Sequence, residues 1–254
     1  MKKYIVAFGA LVFPLVVLSC SQKGAVTSAS SGRQGVRASA KVGDRAEYSL
    51  NFTTQIMTGN RSSIPAKVTG HKTVTVVAST NHGRSVPPQI VTTYDVRSDT
   101  QQQGRGGSRS RTTIAWCGED SSGNVYLLGE SQDGVKWDVV TDINPPIILP
   151  SKLKVGDSWS YVAHLSSGST ESYAMKCVGV ERLRTPAGEY DTYKVGRTGT
   201  HSGVGVTLSG YAWLTLSLPL VFEVRVQQSS DLTLHGIPTR VVGENILQSV
   251  SLAR

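Results

Sequence analysis

An alternation of apolar and polar residues with a period of two runs through much of the chain after residue 40, and it constrains the fold more than any other feature. Ala46, Tyr48, Leu50 and Phe52 fall on one face of an extended segment, as in a strand with one buried face. No window carries an apolar stripe of helical period and length. The 26 glycines and 10 prolines among 254 residues favour turns between short strands. The sequence therefore predicts an all-β fold of antiparallel curved sheets or an open barrel.

A four-residue motif that occurs twice indicates an internal duplication. Residues 41–44 and 154–157 both have the sequence Lys-Val-Gly-Asp, and a tyrosine follows at the same spacing, Tyr48 in one case and Tyr161 in the other. The strand expected after each motif has its apolar residues on one face. We interpret the pattern as two duplicated β halves. A chance match between common residue types is the alternative.

The N-terminus has the pattern of a bacterial export signal. Lys2 and Lys3 precede an uncharged apolar run over residues 4–18, which is short for a membrane-spanning helix. The sequence Val-Leu-Ser-Cys at residues 17–20 resembles a lipobox, the cleavage site of bacterial lipoproteins. The resemblance implies that Cys20 is lipidated and becomes the acylated first residue of the mature chain. An ordinary signal peptide with an incidental Cys20 is the alternative.

The formal net charge of +8 is unevenly distributed along the chain. The small, polar residues 20–39 predict a flexible tether, and Lys23, Arg33 and Arg37 lie in it without an acidic neighbour. Basic side chains beside a lipid anchor are attracted to anionic membrane surfaces. We therefore expect a lipoprotein of the bacterial cell envelope, periplasmic or surface-facing, held on the membrane through its N-terminal lipid.

A second basic segment contains Arg105, Arg109 and Arg111 and is similar to arginine-rich RNA-binding segments. RNA binding is a poor interpretation for a protein that is exported. The segment is therefore predicted to be a solvated, flexible loop, and no nucleic-acid partner is expected.

The region after residue 144 resembles a known family. The prolines and the Lys-Val-Gly-Asp motif of residues 145–159, the turn at residues 185–191 and Trp213 are similar to the uncharacterised family of exported bacterial β proteins called domain of unknown function 3108 and its relatives. The resemblance covers about residues 145–226 and implies an antiparallel curved sheet or open barrel without a catalytic assignment. The predicted organisation is a signal peptide over 1–19, the lipidated cysteine and tether over 20–39, a first β half over 40–147 and a second over 148–254.

Catalytic and metal-binding motifs are missing from the sequence. No nucleophile elbow, nucleotide-binding glycine pattern or paired metal-ligand spacing occurs, and the histidines are isolated from one another: His71, His82, His164, His201 and His235. We therefore predict no catalytic residue, no metal and no cofactor. A hydrolase would require strands that bring distant acids together, such as Asp157 and Glu189.

Two cysteines remain after Cys20. In an oxidising envelope, Cys117 and Cys177 could form a disulfide. The alternative is a pair of buried thiols that pack as small hydrophobic residues.

Four aromatic residues on predicted strands are candidates for a ligand-facing surface: Tyr48, Trp159, Tyr161 and Trp213. The alternative is that they fill the core.

Three functions stay open at this point. The first choice is a non-catalytic binding module for an amphiphile, a glycan or an envelope protein, and an apolar cavity would favour it. The second is a structural or assembly lipoprotein, favoured by a filled core and an exposed apolar patch. The third is an envelope hydrolase, favoured by convergent acids or a histidine–acid pair in a cleft.

Overall fold

The computed structural model describes residues 38–254 except 59, 60, 63, 64, 81, 105, 106, 220, 221, 235 and 236. The predicted signal peptide, Cys20 and nearly all of the tether lie outside this range. Within it the chain forms fourteen strands, a short 3-10 turn at Ser202–Val204 and no α-helix, which confirms the all-β prediction. Across the described residues, no helix has the length and apolar character needed to cross a membrane.

The strands vary from two to sixteen residues in length. In chain order they are β1 (Arg45–Thr58), β2 (Arg61–Ser62), β3 (Ala66–Ala78), β4 (Ile90–Gly104), β5 (Gly107–Asp120), β6 (Val125–Ser131), β7 (Trp137–Val139), β8 (Ile147–Leu149), β9 (Ser158–His164), β10 (Thr170–Thr185), β11 (Gly188–His201), β12 (Val206–Leu214), β13 (Arg225–Leu234) and β14 (Ile237–Ser251).

All strand pairs are antiparallel, and twelve strands follow one path in the order β7-β6-β5-β4-β3-β1-β14-β13-β12-β11-β10-β9. Strand β2 pairs with β1, and β8 pairs with β6. Each half of the chain thus contributes a meander of six strands, β1 and β3–β7 from the first half and β9–β14 from the second, and the two meanders join where β1 pairs with β14. The predicted boundary between residues 147 and 148 falls inside β8, whose partner β6 belongs to the first half.

The side chains of the two repeated turns make the same hydrogen bond. Asp44 Oδ2 accepts a bond from the Lys41 amide at 2.8 Å, and Asp157 Oδ2 accepts one from the Lys154 amide at 2.9 Å. Each aspartate therefore closes its own turn immediately before the strand that it opens.

The backbone of the two turns is equivalent as well. Gly43 has φ +99° and Gly156 has φ +97°, a region that favours glycine. The first turn exchanges two backbone bonds of 2.8 Å with Val76 on β3, and the second exchanges two of 2.8 Å with Cys177 on β10. Strand order and opening turns are therefore shared by the two meanders, which supports the duplication hypothesis.

Burial distinguishes the two turns and leads to a prediction. Asp44 is 1% exposed and also accepts a bond from the Ala253 amide at 2.7 Å, whereas Asp157 is exposed. We expect Asp44→Ala to lower the free energy of unfolding by about 2 kcal/mol, because two backbone amides lose the hydrogen bonds that they make to a buried carboxylate. The matched change Asp157→Ala should cost about 1 kcal/mol or less. Urea unfolding measures both, and equal losses would contradict the expectation.

The sheet curls until its two ends meet, although it does not close into a barrel. An isolated antiparallel bridge joins Val140 to Leu165. The Thr141 amide donates to His164 O at 2.7 Å, and the Ser166 amide donates to Val139 O at 2.8 Å. We call this junction, formed by residues 138–141 and 164–167, the seam.

The inner face of the curled sheet forms the main core. It is built from both halves, as shown by the fully buried residues Val76, Leu127, Val195, Phe222 and Leu247. The predicted inward face of β1 is confirmed, because Ala46, Tyr48, Leu50 and Phe52 are all buried. A smaller cluster lies apart from this core and contains Ile90, Trp116, Tyr126 and Leu128.

One local prediction is wrong. Arg109 and Arg111 lie within strand β5 rather than in a loop, because β4 and β5 continue their pairing to Gly104 and Gly107. Arg105 lies outside the described residues. Phe222 and Val224, which precede β13, are fully buried, and the Val224 amide donates to Trp213 O at 2.8 Å.

Candidate functional site

Three ionisable side chains meet inside the curled sheet. Glu130, Glu171 and His201 each place one polar atom within 4.8 Å of the others. Their side chains are 6%, 3% and 6% exposed, respectively. We call them the Glu–Glu–His cluster. Buried ionisable groups in contact with one another are expensive in an apolar interior, which makes the cluster a candidate functional site.

Strand register positions two members of the cluster. Glu171 and His201 are direct partners on β10 and β11, so their side chains lie on the same face. On β10 the same face carries Tyr173 and Met175, both buried. A glutamate thus occupies a position in an otherwise apolar inward row.

A β-bulge positions the third member. Leu127 pairs with Cys117, and Glu130 pairs with Ala115. Cys117 and Ala115 both face the core, so Leu127 and Glu130 also face inward, although they are three positions apart on β6. The register shift opposite Trp116 and Cys117 makes this possible, because an extra residue reverses the parity of the strand beyond it. Alternation alone would place Glu130 on the outer face.

The geometry places His201 between the two carboxylates. His201 Nε2 lies 3.2 Å from Glu130 Oε1 and 3.6 Å from Glu171 Oε1. Glu171 Oε2 is buried and has no hydrogen-bond partner among the described residues.

Burial and mutual charge shift the proton affinities within the cluster. Burial raises the pKa of Glu171 to about 8; the neighbouring charge of Glu130 adds to the rise, and His201 opposes it. For His201, burial lowers the pKa, but the hydrogen bond and charge of Glu130 and the charge of Glu171 outweigh it, so the pKa is raised. The cluster therefore retains protons at neutral pH that exposed glutamates would lose.

Aromatic and charged residues surround the cluster. Tyr161 and Tyr173 stack with ring centroids 5.0 Å apart. Burial, followed by the charge of Glu171, raises both of their pKa values well above the ordinary range. Arg197, on the same strand as His201, forms an ion pair with Glu223, and their side chains are 2% and 16% exposed.

The predicted ligand-facing residues do not form one surface. Tyr48 and Tyr161 are buried in the main core, and Trp159 packs against it and donates from Nε1 to Ile148 O at 3.2 Å. Trp213 lies outside that core, because its neighbours Ala212 and Leu214 take the inward positions on β12.

Trp213 instead packs between two cations. Lys194 Nζ lies 4.9 Å and Arg225 Cζ 5.3 Å from its ring centroid. The indole N–H donates to Glu181. Trp213 is therefore nearly fully buried by polar neighbours on the face opposite the core.

Cys117 and Cys177 are free, buried thiols, so the predicted disulfide is wrong and the alternative holds. They lie on strands β5 and β10, which do not pair with each other. Burial, with a smaller effect from Asp95, raises the pKa of Cys117 to about 12.

The acids considered from the sequence do not take part in the cluster. Asp157 closes its own turn, and Glu189 pairs with Arg182 at 3.3 Å. Two other histidines pair with single carboxylates: His82 lies 3.0 Å from Asp95, and His164 lies 2.7 Å from Asp142. His235 lies outside the described residues.

Sequence reasoning missed the cluster, although one signal for it was present. Glu171 extends the inward row of Tyr173, Met175 and Cys177, where a charged residue is anomalous. Glu130 gave no such signal, because its inward position depends on the bulge. Convergent acids and a histidine were the pattern expected of a hydrolase, but here the three side chains are almost fully buried.

Comparisons with known proteins find only distant structural likenesses. No protein-family model matches the chain, and no curated protein matches it, so the resemblance to domain of unknown function 3108 stays a prediction. Among solved structures, a candidate lipoprotein from Parabacteroides distasonis is 16% identical, with a TM-score of 0.33, and covers 84% of this chain and 97% of its own. A candidate exported protein with a YmcC-like fold from Bacteroides fragilis is 12% identical, with a TM-score of 0.32, and covers 85% and 99%. Likenesses at this level carry no argument about fold or function.

Proposed function

We propose that the protein is a lipid-anchored lipoprotein of the bacterial envelope whose β body is a non-catalytic module that binds an amphiphile. The lipid anchor is Cys20, and the bound molecule combines an apolar chain with an anionic head group. The N-terminal sequence supports the lipid anchor, and the interior of the sheet supports the binding module.

The supporting observation is that the interior of the sheet contains two buried cations, one of them beside an aromatic ring. Lys72 is buried, and its Nζ lies 5.6 Å from the ring centroid of Tyr48. Burial lowers the pKa of Lys72. Arg197 is also buried, and its Nε has no hydrogen-bond partner among the described residues. Apolar residues can replace buried charges in a purely structural core without loss of stability. Glu223 forms an ion pair with Arg197 and is the acidic neighbour of Lys72, so the two cations share one carboxylate and favour a ligand with an anionic group.

The seam is the proposed route to the interior. It joins the two ends of the sheet through the Val140–Leu165 bridge and through side-chain bonds such as those of Asp138 to the Ser167 amide and hydroxyl, whereas β10 and β11 share a ladder of fourteen paired positions. Separating the seam breaks fewer backbone hydrogen bonds than separating a ladder of that length.

A disulfide across the seam tests this proposal. Val140→Cys with Leu165→Cys places cysteines at bridge partners, within the reach of a disulfide; Cys117→Ala and Cys177→Ala remove the native thiols. We expect the reduced full-length protein to bind phosphatidylglycerol in native mass spectrometry and the oxidised protein to lose at least nine-tenths of it. Equal binding in both forms would overturn the route. Absence of lipid in both, or co-purified glycan or protein instead, would overturn the amphiphile proposal.

Cys20→Ala tests the anchor separately. We expect the variant to leave the membrane fraction for the soluble envelope fraction, because a protein without its acyl chains loses about 0.8 kcal/mol per buried methylene group. Cys117→Ala, a change at a buried thiol, is the control and should stay on the membrane. Intact-mass analysis of the wild type should show an acylated chain that starts at Cys20. A mature chain that begins elsewhere, without acyl mass, would contradict the prediction.

A further inference from the structure

We propose that the Glu–Glu–His cluster is a binding site for one divalent first-row transition-metal ion, with Zn²⁺ as the probe, and that the ion joins the two ends of the sheet behind the seam. The inference does not depend on the amphiphile proposal.

The spacing of the donor atoms fits a common ion. Metal-bound nitrogen and carboxylate oxygen atoms lie about 2.0–2.2 Å from Zn²⁺, which places adjacent donors of a tetrahedral site about 3.3 Å apart. His201 Nε2 is 3.2 Å from Glu130 Oε1 and 3.6 Å from Glu171 Oε1. An ion can therefore contact all three side chains after small rotations of their terminal groups.

An unsatisfied atom points to a missing ligand independently of that spacing. Glu171 is 2% exposed, and its Oε2 has no hydrogen-bond partner among the described residues. A buried carboxylate oxygen without a donor is costly. A cation bound to Glu171 neutralises the charge of its carboxylate, and Oε2 can serve as a further metal ligand.

The donor set selects the class of metal. Ca²⁺ and Mg²⁺ prefer sites made of oxygen donors. One imidazole nitrogen with carboxylate oxygens suits Zn²⁺, Mn²⁺ or Fe²⁺. Two ionised carboxylates also balance the charge of a divalent ion, which lowers the cost of burying it.

The location explains what the ion would do. Glu130 pairs with Asp138, at the seam end of the first meander, and Glu171 pairs with Ala163 on β9, at the seam end of the second. Their strands β6 and β10 are each second from an end of the strand order. A shared ion therefore crosslinks the two meanders close to the Val140–Leu165 bridge.

The test loads the full-length, detergent-extracted protein with Zn²⁺ after chelation and removes free ion by gel filtration. We expect about one Zn²⁺ per wild-type chain by elemental analysis. The isosteric change Glu130→Gln and the change His201→Ala should each weaken Zn²⁺ binding at least tenfold. His164→Ala removes the exposed histidine beside Asp142 and is the control, which should retain one ion. Wild-type protein that retains no Zn²⁺, or cluster variants that retain it fully, would overturn the proposal.

X-ray absorption of the Zn²⁺-loaded wild type gives a result that does not depend on how the variants fold. We expect nitrogen and oxygen donors near 2.0–2.1 Å, with one imidazole and no sulfur. Two or more imidazoles, or any sulfur donor, would place the ion elsewhere in the molecule and overturn the assignment.

Discussion

In metal-free protein, Glu171→Gln is expected to stabilise the fold at pH 8 and to leave its stability near pH 4 almost unchanged. The pKa of Glu171 is raised to about 8 in the folded protein by burial and by Glu130, whereas an exposed glutamate titrates near 4.3. Between these values the folded state holds a proton that the unfolded chain has released. Stability therefore falls as the pH rises through this window, by up to about 1.4 kcal/mol per pH unit.

The glutamine cannot ionise, so the variant should lose this contribution to the slope. We expect a gain on the order of 3–5 kcal/mol at pH 8. His201 contributes in the same direction in the wild type, because its raised pKa gives stability that is lost as the pH rises. The charge of Glu171 is one cause of that raised pKa, so the variant should lose part of this contribution as well. Chemical unfolding at pH 4, 6 and 8 in the presence of a chelator measures the effect. Glu189→Gln, at an exposed carboxylate, is the matched control, and a Glu171→Gln slope equal to that of the wild type would contradict the prediction.

Glu223→Ala is expected to lower the free energy of unfolding by about 3 kcal/mol, because it leaves the charge of Arg197 buried without its partner. The Arg197 side chain is 2% exposed, and its Nε already lacks a hydrogen bond within the described residues. Water can therefore compensate little for the lost carboxylate. An exposed ion pair provides the matched control: the side chains of Arg240 and Asp231 are 45% and 53% exposed, so Asp231→Ala should cost about 1 kcal/mol or less.

A second variant separates loss of the pair from exposure of an uncompensated charge. Arg197→Met combined with Glu223→Ala removes both charges and leaves an apolar side chain in the core. We expect the double variant to be more stable than Glu223→Ala alone, since the buried unpaired charge is gone. Thermal and urea unfolding measure the free energies of unfolding of the wild type, Glu223→Ala and the double variant. A double variant less stable than Glu223→Ala would show that the guanidinium itself contributes favourable packing or binding, and that outcome would contradict the charge-burial explanation.

The alternation in β1 and β9 could be interpreted correctly from sequence because it depends on the local geometry of an extended chain. Successive side chains point to opposite faces, so the apolar rows containing Tyr48 and Tyr161 had to face a common interior, and both residues are buried. The two Lys-Val-Gly-Asp turns were equally local. Each contains a glycine with positive φ and an aspartate that accepts a bond three residues back, and both features depend on residues adjacent in sequence.

The alternation of side chains along a strand does not determine which face of the strand points into the core or which strands pair. Trp213 was grouped with Tyr48 from alternation, yet Ala212 and Leu214 take the inward positions on β12 and Trp213 packs against cations on the other face. The register shift in β6 reversed the parity at Glu130.

The sequence by itself determined the strand-rich class, the inward rows of the regular strands and the two opening turns, because each follows from the conformational preferences of neighbouring residues. Only the tertiary structure decided that Glu130 meets Glu171 and His201. Their contact requires one bulge, the β10–β11 register and the curling that brings β6 towards β10. Those are interactions between distant segments, whose free energy depends on how the whole sheet packs and is not encoded in any local pattern.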